Sequence, residues 1–406
     1  MFSLRLIWLI LAGIGALPAV VWAQEKPLVL THYMPWFNSK QVSGDWGWHW
    51  KLKNRNPDKV IDGKREIASH YYPLMDPYDS SDPDALDCHV LLMKIAGIDG
   101  VIIDWYGIEE HWDYGVNHQN TLAIIKSIKK AGLKYAICYE DQTVGHLIKA
   151  GKVKGDDGIT HASDVIRYLA NNCFSDANYV RLDGRPVLLV FGPQYFSGRQ
   201  LKEICEDVKP SPLLYALPHL AANSGADGAF GWPPVTGGKE ILPKQWNEYL
   251  DRLYQPELDA RPAIGTVFPQ FHDYYQEGEG RPSFGSIASQ GKETFKTTIR
   301  RAWDSKSEII QIATWNDYGE GTMIEPTREF GYQFLKLIQN QIFAKDSAKL
   351  EISRSALELP IRLYKLQKAE TGQQSRAAKL ADVSKLLFQG NYKSAKEELD
   401  RLESSN

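Results

Sequence analysis

The sequence predicts an α/β fold, a (β/α)8 TIM barrel with a C-terminal helical extension, on three observations. Eight short apolar runs alternate with stretches of helical periodicity, the pattern of a parallel sheet covered by helices. Several of these runs end in clusters of aromatic and acidic residues, where barrel active sites assemble. The chain of 406 residues also suits one barrel plus an extension better than several small modules. An open doubly wound sheet is the alternative, but Met34-Pro35-Trp36-Phe37 after the first run is no Gly-rich phosphate turn.

The predicted strands are Leu28 to Met34, Gly100 to Trp105, Lys134 to Tyr139, Pro186 to Phe191, Leu213 to Leu217, Gly228 to Trp232, Ala263 to Pro269 and Glu308 to Trp315. Helical periodicity fills Asp84 to Ala96 after the start signal Ser81-Asp82-Pro83, Asn120 to Ala131 before Gly132, and His161 to Asn171. Beyond Gly331 only helices are expected: Tyr332 to Lys345, Leu357 to Glu370, Ser375 to Phe388 and Tyr392 to Leu402. The domains are therefore read as a barrel over 24–345 and a helical extension over 346–406. The last two helices resemble one tetratricopeptide-type hairpin, read as an appendage packed on the barrel or a docking site for a protein partner.

At the N-terminus Arg5 precedes an uncharged apolar run from Leu6 to Val21, Pro18 breaks its end, and Val21-Trp22-Ala23 places a small residue before Gln24. Residues 1–23 are expected to be a signal peptide, making the protein exported, periplasmic or extracellular, with no membrane contact after cleavage. An uncleaved anchor helix is the alternative reading of the same run. Cleavage removes one positive charge and moves the formal net charge from −3 to −4.

Lys and Arg number 47 against 50 Asp and Glu, so the basic excess of a phosphate-tracking surface is missing and nucleic acid is not expected as a partner. Four cysteines in so large a chain are no disulfide framework; Cys173 with Cys205 is the pair considered, and Cys138 reads as a small hydrophobe on a buried strand. There is no CxxC and no close His pair, so neither metal nor cofactor is expected. The chain is rich in aromatics, with 12 Trp and 20 Tyr, and flat rings with a polar tip suit the apolar faces of sugars.

Asp317 and Glu320 are the candidate catalytic residues. Glycosidic bond cleavage needs two carboxyl groups flanking the bond, one to protonate the leaving oxygen and one to assist attack. An Asp-x-x-Glu alone is usually a solvated turn. This pair follows an apolar strand, is introduced by Trp315-Asn316, and is interleaved with Gly319 and Gly321, which let the backbone turn toward the mouth.

Asp104 reads as a third acid, an orienting residue, or a carboxylate pinned by backbone amides. Glu140, at the third strand tip, is expected to hydrogen-bond sugar hydroxyls. Trp50 and Trp105 are the foremost stacking candidates, whereas Trp46 and Trp48 are read as packing their own loop. His272 and Tyr274 follow the seventh strand, within reach of a substrate. Trp232 ends the sixth strand. His111, His118 and His161 are read as structural.

These motifs resemble the glycoside hydrolases of families 99 and 71 over roughly Leu28 to Thr327. The family 99 pattern at strand eight, Trp/Phe-Asn-Glu-Trp-x-Glu-Gly-Thr, is matched by Trp315-Asn316-Asp317-Tyr318-Gly319-Glu320-Gly321-Thr322. Tyr33-Met34-Pro35-Trp36-Phe37 is similar to that group's Tyr-Tyr-Pro-Trp-Tyr, His49-Trp50 to its His-Trp, Trp105-Tyr106 to its Trp-Tyr, and Glu140 to the Glu ending its third strand.

The resemblance implies a retaining, endo-acting α-glycosidase, in family 99 an α-mannosidase. In that family the first strand-eight carboxylate takes the proton of the sugar's own 2-hydroxyl and the second serves as acid, then base; Asp317 and Glu320 hold those positions. Asp317 stands where family 99 has Glu, and Asp-Tyr-Gly-Glu is closer to family 71, whose members cut α-1,3-glucan. The expected partner is thus an α-linked oligosaccharide or polysaccharide, of mannan or glucan type. Two rival readings are a non-catalytic glycan-binding or polysaccharide-assembly protein on the same barrel, and an interaction protein acting through the C-terminal helices.

Overall fold

The computed structural model describes residues 26–255, 261–369 and 374–404. The expected signal peptide, 1–23, lies outside the described residues. The barrel strands are β1 (Leu28–Tyr33), β2 (Gly100–Trp105), β3 (Lys134–Tyr139), β4 (Arg185–Val190), β5 (Leu213–Ala216), β6 (Gly228–Ala229), β7 (Gly265–Val267) and β8 (Ile309–Ile312). They pair in parallel in the order β7-β8-β1-β2-β3-β4-β5-β6, and a parallel bridge from Phe230 to Ile264 joins the two ends into a closed ring.

Alternation along each strand builds two cores. Leu30, Ile102, Ala136, Leu189, Leu213, Phe230 and Ile309 fill the barrel interior. Their neighbours Val29, Val101, Ile103, Ile137, Leu188, Val190 and Ile310 face the helices. β6 is three residues shorter than its apolar run because side chains take over the ladder: Gly231 N donates to Thr266 Oγ1 at 3.0 Å and Trp232 N to the Tyr249 phenol at 3.1 Å.

The surrounding helices are α1 (Pro83–Ala96), α2 (Tyr114–Ala131), α3 (Gly158–Leu169), α4 (Gly198–Cys205), α5 (Pro218–Ser224), α6 (Pro243–Leu253), α7 (Glu293–Asp304) and α8 (Gln333–Ile342). The Asp82 carboxylate caps α1 by accepting from Asp84 N at 3.1 Å, and Pro83 needs no donor in the first turn. Gly97 ends α1 at φ +85°, and a Cβ there would meet the Phe343 ring at 2.8 Å. Glycine is required on both counts.

The C-terminal helices are α9 (Ser347–Ala356), α10 (Leu359–Ala369), α11 (Gln374–Phe388) and α12 (Tyr392–Ser404). α9 escapes the sequence pattern because it buries only Ser353 and Ala356 while leaving Ile352 exposed. The Lys94 ammonium ties the layer to the barrel, donating to Ala131 O at 3.0 Å and Phe388 O at 2.9 Å, the C-terminal ends of α2 and α11. Cys173 and Cys205 are free, buried thiols rather than a disulfide, and both belong to the hydrophobic layer between barrel and helices. Among the described residues, no helix is long and apolar enough to cross a membrane.

Candidate active site

The barrel mouth inherits the strand alternation. Ile102 faces inward, so Asp104 does too, and Trp105 must point out. Trp105 is accordingly buried beneath the helices: its Nε1 donates to His118 Nδ1 at 3.2 Å, and its ring lies 5.8 Å from Tyr139 and 6.3 Å from Tyr168. The expectation that Trp105 stacks on substrate is therefore corrected. Trp50 is corrected likewise: it is buried, donates to Tyr78 O at 2.8 Å, and packs 4.2 Å from Phe37.

Tyr33 and Trp315 also face outward. Both are fully buried near His89, whose Nδ1 lies 3.1 Å from the Tyr33 hydroxyl. Asn316 is a buried clamp between β1 and β8, accepting from Met34 N at 2.8 Å and donating to Met34 O at 2.9 Å and the Tyr78 hydroxyl at 3.1 Å. Tyr274 lies outside the cleft, its phenol held by the Arg55 guanidinium. His272 is exposed and stacks on His70 at 3.7 Å.

The remaining predicted residues converge. Trp36, His49, Asp104, Tyr106, Glu140, Trp232, Asp317 and Glu320 line one cavity of about 700 Å³ at the strand C-termini. That volume suits a glycan of a few residues. Trp36 stacks on His49 at 4.2 Å, and His49 Nε2 is bound to Asp113 at 3.1 Å, so the ring pair is fixed from behind. Trp48, read as packing its own loop, instead lines the cavity and is 46% exposed.

Among the lining residues that escaped the sequence reading are Tyr275, Arg281 and Phe284. The Arg281 guanidinium sits between the Tyr275 and Phe284 rings, at 3.9 and 4.0 Å, and lies 3.9 Å from Glu320 Oε1. The aromatic cluster after β7 was the available signal, but its spacing does not say which ring turns inward.

The strand-eight turn fixes the acid pair. Thr314 Oγ1 accepts from Asp317 N at 2.8 Å, Asp317 Oδ1 accepts from Glu320 N at 2.8 Å, and Glu320 Oε2 accepts from Trp232 Nε1 at 3.2 Å. Gly321, at φ +66°, makes the turn, and a Cβ there would lie 2.5 Å from His272 O. Glutamate 320 is also tied through its backbone, its carbonyl accepting from His272 N at 2.9 Å.

Burial raises all four carboxyl groups of the cavity. Asp317 is pushed up to about 6 by burial, against the pull of the Glu320 and Gly319 amides, His49 and Arg281. Glu320 is raised well above the usual range by burial and by the Asp317 charge, with Arg281 and Trp232 opposing. Burial lifts Glu140 to about 7, and raises Asp104 with reinforcement from the Glu140 and Asp317 charges. The result is an acid that holds its proton beside a carboxylate that gives its proton up first, the division of labour acid/base catalysis needs.

The fold and this cleft define a (β/α)8 protein with its buried carboxylates gathered at the C-terminal face of the barrel. A family described as "Glycosyltransferase WbsX" matches residues 236–338, a span that includes both Asp317 and Glu320. The chain is 27% identical over 326 residues to the glycoprotein endo-alpha-1,2-mannosidase-like protein of Mus musculus, covering 72% of this chain and 68% of that protein. It is 22% identical over 353 residues to the glycoprotein endo-alpha-1,2-mannosidase of Mus musculus, covering 77% and 72%. The solved GH99 endo-alpha-mannosidase of Bacteroides thetaiotaomicron shares the fold with a TM-score of 0.54 at 18% identity, over 81% of this chain and 99% of that one. The chain is thus similar in sequence to these endo-alpha-1,2-mannosidase and endo-alpha-1,2-mannosidase-like proteins, and it shares the TIM-barrel fold of the GH99 structure.

Proposed function

We propose that this protein hydrolyses α-linked glycans within the chain, with Glu320 as general acid and Asp317 as general base. The observation that carries the reading is the pair's unequal environment on one cavity wall: Glu320 is raised above Asp317 by burial and by the Asp317 charge itself. Asp317 therefore gives up its proton before Glu320, which assigns the carboxylate role to the first and the acid role to the second. Following the family 99 scheme, Asp317 takes the proton of the sugar 2-hydroxyl as that oxygen bonds to the anomeric carbon. Glu320 passes its proton to the departing glycosidic oxygen. Water then opens the resulting ring with both proton transfers reversed, restoring the two groups.

Glu140 and Asp104 are assigned to sugar hydroxyls, and Trp36, Trp48, Tyr106 and Trp232 to the ring faces. The substrate class for this scheme is an α-mannan, whose 2-hydroxyl lies trans to the departing oxygen; on an α-glucan, where the 2-hydroxyl is cis, Asp317 would instead attack the anomeric carbon itself or activate a water. We further propose that residues 1–23 are removed on export, that 24–345 form the catalytic unit, and that 346–406 support it. The matched family's description as a glycosyltransferase favours a second reading, assembly of polysaccharide on the same barrel. Product analysis on α-mannans, α-glucans and α-galactans decides between them: new reducing ends from polymer and water alone support hydrolysis. Sugar transfer that needs an activated donor, with no hydrolysis, supports assembly.

A further inference from the structure

Below the catalytic pair, three unlike side chains from adjacent strands meet at one level of the barrel. His32 of β1, Asp104 of β2 and Cys138 of β3 each offer a ligand atom, and these atoms lie within 4.8 Å of one another. Register explains the meeting: Asp104 and Cys138 are direct partners across β2 and β3, while His32 pairs with Ile102, two residues before Asp104 on the same inward face. All three are at most 2% exposed.

Two of the three present unused polar atoms. His32 Nε2 and Asp104 Oδ2 are buried without a hydrogen-bond partner. The other imidazole nitrogen, Nδ1, lies 3.4 Å from Gln311 Oε1, and the Gln311 amide is itself fixed by donating to Gly231 O at 2.6 Å. An amide oxygen only accepts, so Nδ1 carries the proton and the unpartnered Nε2 keeps its lone pair free. A histidine whose second nitrogen is anchored to a fixed acceptor is how proteins orient a metal ligand.

We propose that His32, Asp104 and Cys138 form a binding site for a divalent transition-metal ion of the zinc class, in the floor beneath the cleft. A nitrogen, a thiolate sulfur and a carboxylate oxygen form a borderline-soft donor set, which suits Zn²⁺ or Co²⁺ rather than Mg²⁺ or Ca²⁺. Ligands of a tetrahedral zinc lie about 3.5 Å apart, so small side-chain rotations complete the set. Binding exchanges the Cys138 thiol proton for a metal–sulfur bond and releases that proton to solvent. Since Asp104 also lines the cleft, a water from the cleft supplies the fourth ligand, and the ion holds Asp104 as an anion.

The test uses the full-length mature protein, freed of affinity tag, stripped with chelator and titrated with Co²⁺ at neutral pH. One equivalent should bind with tetrahedral d–d bands and a near-ultraviolet thiolate-to-cobalt charge-transfer band, both bleached by one equivalent of Zn²⁺. Cys138→Ser should lose the charge-transfer band. Wild-type protein with native near-ultraviolet circular dichroism that takes up no stoichiometric metal overturns the assignment. So does cobalt bound without a thiolate band, or a band that survives Cys138→Ser.

Discussion

The backbone N–H of Glu320 donates to Oδ1 of Asp317 at 2.8 Å, so one carboxylate of the pair holds the chain that carries the other. The bond places the two groups on one cavity wall and favours the ionised form of Asp317 against its burial. Charge on Asp317 in turn raises Glu320. The pair therefore titrates as a unit.

Asp317→Asn and Glu320→Gln keep shape while removing an ionisable group, and each should lower kcat by about 10² to 10⁴ with native circular dichroism retained. On an aryl α-glycoside with a good leaving group, Glu320→Gln should recover much of its rate because departure needs little protonation. Asp317→Asn should not recover. Near wild-type turnover of the natural glycan by both folded variants would exclude the pair as the catalytic machinery.

The pH profile of kcat/KM should be bell-shaped, with its acid limb near the value of about 6 set by Asp317 and its alkaline limb set by Glu320. In Asp317→Asn the neighbouring negative charge is gone. Its residual activity should therefore lose the acid limb, and its alkaline limb should move to lower pH. An unmoved alkaline limb would mean the two carboxyls do not interact.

Glu140 is raised in the folded state from its ordinary 4.5 to about 7, chiefly by burial, so the fold favours its protonated form. Its stabilising contribution is complete below about pH 4.5 and is lost as pH rises through 7. Glu140→Gln, which cannot ionise, should melt with wild type at low pH and above it at pH 8, by up to about 3 kcal/mol. Differential scanning calorimetry across that range measures the gap. A gap that shrinks with rising pH contradicts the burial of an ionising group.

Trp105 and Trp48 should part company. Trp105→Ala should cost about 3–5 kcal/mol in urea unfolding by opening a cavity under the helices. Trp105→Phe, losing only the His118 bond and some volume, should leave KM unchanged. Trp48→Ala should raise KM severalfold at unchanged melting temperature. A KM effect in folded Trp105→Phe would return that ring to the substrate.

Removing residues 370–406 should lower the melting temperature while leaving kcat intact, since every strand tip lies upstream. The loss comes from the uncovered apolar side of α10 and from the Lys94 bond to Phe388 O. Inactivity of a truncated protein with native near-ultraviolet circular dichroism would place the extension in the site.

The strands were legible because burial on both faces writes near-continuous apolar runs, and β2 and β3 begin and end where the pattern does. The acid pair was legible for a different reason: Gly321 and the Thr314 hydroxyl act within a few residues, so the turn is local. Which aromatic ring enters the cleft was decided by the tertiary structure. Asp104 and Trp105 are adjacent in sequence yet lie on opposite faces of one strand, and only closure of the barrel makes one face a mouth and the other a helix bed. Arg281 and Phe284 reach the cleft through the long excursion after β7, where no period fixes direction. The meeting of His32, Asp104 and Cys138 is likewise a matter of register between strands dozens of residues apart, and spacing along the chain carries no trace of it.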